Sequence, residues 1–215
     1  MVQKAPEWLT LQFMEIKSGQ TDDRIQNLVN QVRSLHAELD SEIRSFQSAS
    51  GLHCLAGCGK CCLKPDIEAT PLEFLPLALS LYHEGVAAEW QKSIESGDSI
   101  CKVYNEGQSG QGKCTRYPDR GMICRLFGYS ARKNKYSEKE LITCQIIKED
   151  QREAFDEASA RINSDMEVPG AADFYARLRA IDAGLGGVQL PVNRAIAMAL
   201  DVVMSYYFYK EREQA

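Results

Sequence analysis

The chain has 215 residues, 44% hydrophobic and 26% charged, with a formal net charge of −5. These proportions are those of a folded globular protein and exclude a fibrous or wholly disordered polymer. No run of eighteen apolar residues exists to cross a bilayer, and the acid excess without a binding motif speaks against nucleic acid.

The opening stretch MVQKAPEWLTLQFMEIKSGQ carries charges where a secretion signal needs an apolar core, which predicts a cytoplasmic protein. Trp8, Leu9, Leu11, Phe13, Met14 and Ile16 predict a short amphipathic helix ended by Gly19. A longer helix is predicted over 22–48, capped by the Thr21–Asp22–Asp23 run. Ile25, Val32, Leu39 and Phe46 recur every seven residues, with Leu28 and Leu35 in the second seam position. Such a stripe packs on its own domain or, alternatively, forms a homodimer through the 22–48 helix.

The next stretch, GLHCLAGCGKCC from Gly51, reads as loop. Thr70–Pro71–Leu72–Glu73 then combines a cap, a proline and an acidic third position, predicting a helix to about His83. Gly85 separates it from another helix through Trp90 and Ile94. Residues 101–112 turn loop-like. Met122–Ala131 and Leu141–Ile146 are expected as two short strands around a lysine-rich turn. Pro169, Pro191 and the glycines at 184, 186 and 187 divide the remainder into helices over about 149–164, 170–184 and 190–211. The predicted fold is mainly helical α+β: a helical hairpin over 1–50, a loop-rich cysteine domain over 51–148 and a helical segment over 149–215, packed as one unit.

All eight cysteines fall between positions 54 and 144. Cys54, Cys58, Cys61 and Cys62 lie within nine residues, where Gly57 and Gly59 let the backbone fold thiolates around a point. Adjacent cysteines point apart in extended chain, so Cys61 and Cys62 are candidates for different roles or different metals. Cys101, Cys114, Cys124 and Cys144 follow at wider spacings. In a reducing compartment, clustered thiols are metal ligands or redox groups rather than disulfides. The three segments carry charges of −2, +2 and −5. The cations Lys60, Arg116, Arg120 and Arg125 lie among the cysteines, where they would offset thiolate charge. His53, beside Cys54, is read as a flanking residue, and Tyr117 as packed against the cysteine loop.

The stretch His53–Thr70 (HCLAGCGKCCLKPDIEAT) resembles the amino-terminal motif of the YkgJ-type CxxxCxxCC cysteine-cluster family, described as zinc- or iron-chelating domains. Gly112–Phe127 (GKCTRYPDRGMICRLF) resembles the family's second motif, with Cys114, Tyr117, Arg120, Cys124, Arg125 and Phe127 in register. Gly121 stands where the family usually has proline. Cys101 resembles the cysteine upstream of that motif, and Cys144 the later one of many members. The resemblance implies a bound metal held by the eight cysteines, with Arg120, Arg125 and Tyr117 around it.

Close thiol triplets with a distant fourth ligand are typical of iron–sulfur clusters. Cys54, Cys58 and Cys61 or Cys62 would supply three corners of a 4Fe-4S cluster, with Cys124 or Cys114 as the fourth. Structural zinc is the alternative. The readings that follow are an electron-transfer, redox-sensing or oxidoreductase role with an unidentified protein or redox partner, a zinc-stabilised interaction module, or a modifying enzyme. The last rests on a flagellin lysine methylase with a similar cysteine motif. No dinucleotide, phosphate-loop or HExxH motif marks a catalytic centre. By spacing, Cys58, Cys61, Cys62 and Cys124 are expected to be the least replaceable, and Cys101 and Cys144 the most tolerant.

Overall fold

A computed structural model describes residues 23–55, 57–95, 100–107 and 112–213. The short helix expected before Gly19 lies outside these. Helix α1 spans Arg24–Ser50. It starts where the Asp23 carboxylate accepts the Gln26 N–H at 3.0 Å, and it stops at Gly51, whose φ of +72° suits a residue without Cβ.

Strand β1 (Glu68–Ala69) leads through a 3₁₀ turn at Leu72–Phe74 into α2, Leu75–His83. Pro76 sits in the first turn of α2, where its missing N–H costs no helical bond. Helix α3 spans Ala87–Glu95. Strands β2 (Tyr104–Glu106) and β3 (Gly112–Cys114) pair antiparallel, with Tyr104 opposite Cys114. A 3₁₀ turn at Tyr117–Asp119 precedes α4, Met122–Leu126. Strands β4 (Ser130–Lys133) and β5 (Lys139–Ile142) form the expected short hairpin. Helices α5 (Gln145–Asp150), α6 (Arg152–Arg161), α7 (Ala171–Ile181) and the single turn α8 (Ala183–Gly186) follow. Strand β6 (Leu190–Pro191) then leads into α9, Val192–Glu213. The protein is mainly helical with short antiparallel strand pairs. Among the described residues no helix is long and apolar enough to cross a membrane.

Two expectations change. Met122–Leu126 is helical rather than extended, and the hairpin begins only at Ser130. A distant carboxylate, described below, makes the difference. The helix expected over 149–164 starts at Gln145 and breaks at Gln151, which adopts φ −127° and ψ 43°.

The packing follows the apolar stripes. Ile25, Leu28, Val32, Leu35, Leu39 and Phe46 are all buried, and Val29, His36 and Ile43 widen the face. This face of α1 lies against α2, α4, α6 and α7, while α9 covers α2 and α3. The stripe that could have served a homodimer is thus covered by its own chain. At about 1.5–3 kcal/mol per large buried side chain, it is a major source of stability. A second, smaller core joins the end of α1 to the 147–166 region through Phe46, Leu52, Ile147, Ala158, Ile162 and Met166. β1 and β6 pair antiparallel, fastening the end of the cysteine loop to the start of α9.

Candidate metal centre

The loop from His53 to Lys64 has no buried residue among those described, and it is shaped by its glycines. Gly57 and Gly59 adopt φ of +71° and +57°, the left-handed region that side chains disfavour. A Cβ on Gly59 would stand 2.4 Å from the Gly112 carbonyl oxygen, so this turn approaches β3 as only glycine allows. The loop is tied at both ends. The His53 N–H donates to Gln151 Oε1 at 2.9 Å, and Gln151 Nε2 donates to the His53 carbonyl at 2.7 Å. At the far end, the Cys101 N–H donates to the Cys62 carbonyl at 3.4 Å. His53 therefore serves as a backbone clamp, and its ring Nδ1 lies 3.0 Å from the Gly51 carbonyl.

This geometry brings the eight scattered cysteines to adjoining cavities. One cavity of about 380 Å³ is lined by Cys54, Cys58 and Cys144 together with Cys61, Cys62, Cys114 and Cys124. A narrower one of about 70 Å³ is lined by Cys101 with Cys61, Cys62, Cys114 and Cys124. A third, about 240 Å³ and largely apolar, opens beside Cys61, Cys62, Cys101 and Cys124. Among the described residues no histidine or carboxylate lines the 380 Å³ cavity. The donor set there is thiol.

The thiols differ in character. Cys62 donates a hydrogen bond to the Cys61 sulfur, which lowers the Cys61 pKa to about 6 and raises that of Cys62. Burial raises the thiols of Cys54, Cys101, Cys114 and Cys124. Cys144 caps α5, its Sγ accepting the Ile147 N–H at 3.4 Å. As the side chains stand, no three His, Cys, Asp or Glu groups among the described residues close tightly enough to hold an ion. The thiols surround a space instead of meeting at a point.

The cations divide sharply. Arg120 lines both thiol cavities and its guanidinium lies 4.1 Å over the Tyr117 ring. Its buried Nε has no hydrogen-bond partner among the described residues. A buried, unspent N–H beside thiols suits an anionic thiolate–metal group, which would accept it. Arg125 is spent elsewhere: Nη1 on Asp40, Nη2 on the Pro118 carbonyl at 2.7 Å, and Nε on the Arg120 carbonyl at 3.2 Å. It fixes the backbone that presents Arg120 and does not line a thiol cavity. Arg116 makes two 2.6 Å bonds to Glu84 instead of facing the cysteines.

Glu73 is the residue whose importance the sequence conceals. Its fully buried carboxylate accepts Thr70 N–H at 2.7 Å and Thr70 Oγ1 at 3.0 Å, close to the expected capping box. Its other oxygen accepts the Ile123 N–H at 2.7 Å, capping α4, the helix that carries Cys124 and Arg125. Burial raises its pKa to about 6. Gly121, at the start of α4, is explained by the same contact. A Cβ there would lie 2.7 Å from both Glu73 Oε2 and the Phe74 ring. Tyr129 and Gln151 also escaped the sequence reading: Tyr129 lines the 380 Å³ thiol cavity, and Gln151 clamps the loop. The only sequence signal for Tyr129 is its place two residues after the Cys-Arg-x-Phe segment.

No curated protein and no solved structure matches the chain. Residues 53–154, the segment holding the whole cysteine loop and every wall of the 380 Å³ thiol cavity, match a family model. That family is described as "CxxCxxCC: Putative zinc- or iron-chelating domain", so the match bears out the resemblance carried by the two cysteine motifs and supports metal binding by this segment.

Proposed function

We propose that the cysteines hold an iron–sulfur cluster and that the protein works in electron transfer or redox sensing in a reducing, cytoplasmic setting. The observation that carries this reading is the larger of the two cavities beside Arg120. Seven thiols line about 380 Å³ beside the unpartnered Nε of Arg120. A water molecule's share of liquid volume is about 30 Å³, so the space exceeds what one ion with its four ligands requires. Structural zinc needs four ligands drawn to one point. Iron–sulfur clusters are multi-atom bodies held by thiolates and tuned by hydrogen bonds to sulfur. Such a cluster would supply a one-electron couple. The chain's own residues would hold it through cysteine, present Arg120 to its sulfurs, and shield it with Tyr117, Phe127 and Tyr129.

Protein purified without oxygen should contain iron and acid-labile sulfide and show broad visible absorption that reductant bleaches. Colourless protein with stoichiometric zinc and no iron would favour the alternative, a zinc-stabilised interaction module. The specific support for that alternative is the 70 Å³ cavity, whose size suits a single ion. Arg120→Met should keep the metal and lower the reduction potential, because it removes a donor and a positive charge from the cluster's surroundings.

A further inference from the structure

We infer that the eight cysteines form two separate four-thiol centres: an outer one of Cys54, Cys58, Cys61 and Cys144, and an inner one of Cys62, Cys101, Cys114 and Cys124. The inference rests on the metal-binding reading above and adds a second centre to it.

Three observations together set Cys54, Cys58 and Cys144 apart from Cys101 and its neighbours Cys62 and Cys114. The first is the cavities. Cys54, Cys58 and Cys144 line only the large cavity, while Cys101 lines the narrow one and not the large one. The second is packing. Cys101 belongs to the main hydrophobic core, and Cys62 and Cys114 pack against it. Cys144 packs against the small second core instead. The third is backbone connection. Cys101 N–H bonds to the Cys62 carbonyl, and Cys114 lies opposite Tyr104, whose own N–H bonds to the Cys101 carbonyl at 2.9 Å. Cys54, by contrast, begins at the His53–Gln151 clamp, close in sequence to the α5 cap at Cys144.

The Cys61–Cys62 pair sits on the 3₁₀ turn at Lys60–Leu63, with Cys61 exposed and Cys62 half-buried. Cys62 packs against the main core while Cys61 stays exposed, which assigns Cys62 to the inner centre and Cys61 to the outer one. Four thiols per centre complete the usual ligand count for either an iron–sulfur cluster or a closed zinc site.

Burial sets the order in which they open. The inner set is seated on the main core and includes buried Cys101, whereas the outer set includes the exposed Cys54 and Cys61. The test uses native full-length protein, a graded metal chelator and a thiol-alkylating reagent, with labelled cysteines read by mass spectrometry. Cys54, Cys58, Cys61 and Cys144 should become labelled together, at a rate at least about tenfold faster than the inner four. Non-denaturing mass spectrometry should show the metal leaving in two steps. Cys54→Ser with Cys144→Ser should remove only the first step. One common labelling rate for all eight, or Cys144 labelling with Cys124, would overturn the two-centre arrangement while leaving metal binding intact. Protein that carries neither iron nor zinc as purified would overturn the metal reading itself. Two labelling classes with zinc alone would uphold the two centres and remove the iron–sulfur assignment.

Discussion

The helical frame and the cysteine loop are built on opposite principles. The frame draws on apolar burial: nine residues of α1 are buried, and the main core runs from Ile25 to Val203. The loop from His53 to Lys64 buries none of its described side chains and relies on two left-handed glycines, the Gln151 clamp and one bond from Cys101. A segment with so little burial cannot offset the entropy of ordering its own backbone, roughly 1–2 kcal/mol per residue. The frame therefore supplies stability, and on the proposed reading the loop supplies ligands, with metal as the missing energetic term.

The strongest way to break this division is to damage the frame alone. Leu39→Ala removes a fully buried side chain from α1 and should cost about 2–5 kcal/mol. Below its lowered melting temperature the variant should hold the wild-type quantity of metal. Loss of metal in a folded Leu39→Ala protein would show that the two regions are not separable.

A smaller effect is expected at the junction between them. Asp40 on α1 pairs with buried Arg125 and lies 3.7 Å from Arg120. Asp40→Ala leaves Arg125 buried without its carboxylate, which should destabilise by about 2–3 kcal/mol. Because Arg125 also holds the Arg120 carbonyl, this variant should shift the visible spectrum or redox potential as well as the melting temperature. A change in melting temperature alone would make Asp40 a frame residue only.

What the sequence disclosed follows the same contrast. The period of Ile25, Val32, Leu39 and Phe46 gave α1 nearly to the residue, because a buried stripe leaves a repeating local trace. The prolines and glycines placed α2, α7 and α9 for the same reason. The eight cysteines could be named as candidates from their density. Which cavity each lines could not, because Cys54 and Cys144 reach one cavity through long-range contacts such as the His53–Gln151 clamp. Met122–Leu126 was misjudged as strand because its apolar run is too short to distinguish by period. Its helical start depends on Glu73, fifty residues earlier. The role of Arg125 was obscured similarly: beside Cys124 in sequence, it turns away to Asp40 and two carbonyls.

A third test uses pH to report on the frame. His36 is buried in α1, its Nε2 has no hydrogen-bond partner among the described residues, and burial followed by the nearby Arg125 charge lowers its pKa to about 3. The unfolded chain binds this proton near the ordinary value of about 6.5. The folded state is therefore favoured by His36 neutrality above about pH 6.5, and this contribution is lost as pH falls toward 3. Each pH unit in that window costs at most about 1.4 kcal/mol. Acid also protonates thiolates and releases metal, so the informative quantity is the difference between wild type and His36→Leu. The variant should lose less stability between pH 7 and pH 5, by roughly 1–2 kcal/mol. Identical pH profiles would mean that His36 is hydrated or charged in the folded protein.

The smallest expected effect lies within the loop itself. A Cβ on Gly57 would meet nothing within 4 Å, yet the residue holds a φ of +71°. Alanine there should therefore cost only the left-handed strain of about 1–2 kcal/mol. Since the loop contributes little to the frame, that cost should barely move the melting temperature of metal-free protein. It should appear instead as metal affinity weakened by roughly 5–30-fold, the same free energy expressed as an equilibrium constant. Gly59→Ala sharpens the comparison, because it adds the collision with the Gly112 carbonyl to a similar strain. If Gly57→Ala lowers the metal-free melting temperature as much as it lowers affinity, the loop is part of the frame's cooperative unit. If it changes metal affinity alone, the loop is ordered by the metal it binds.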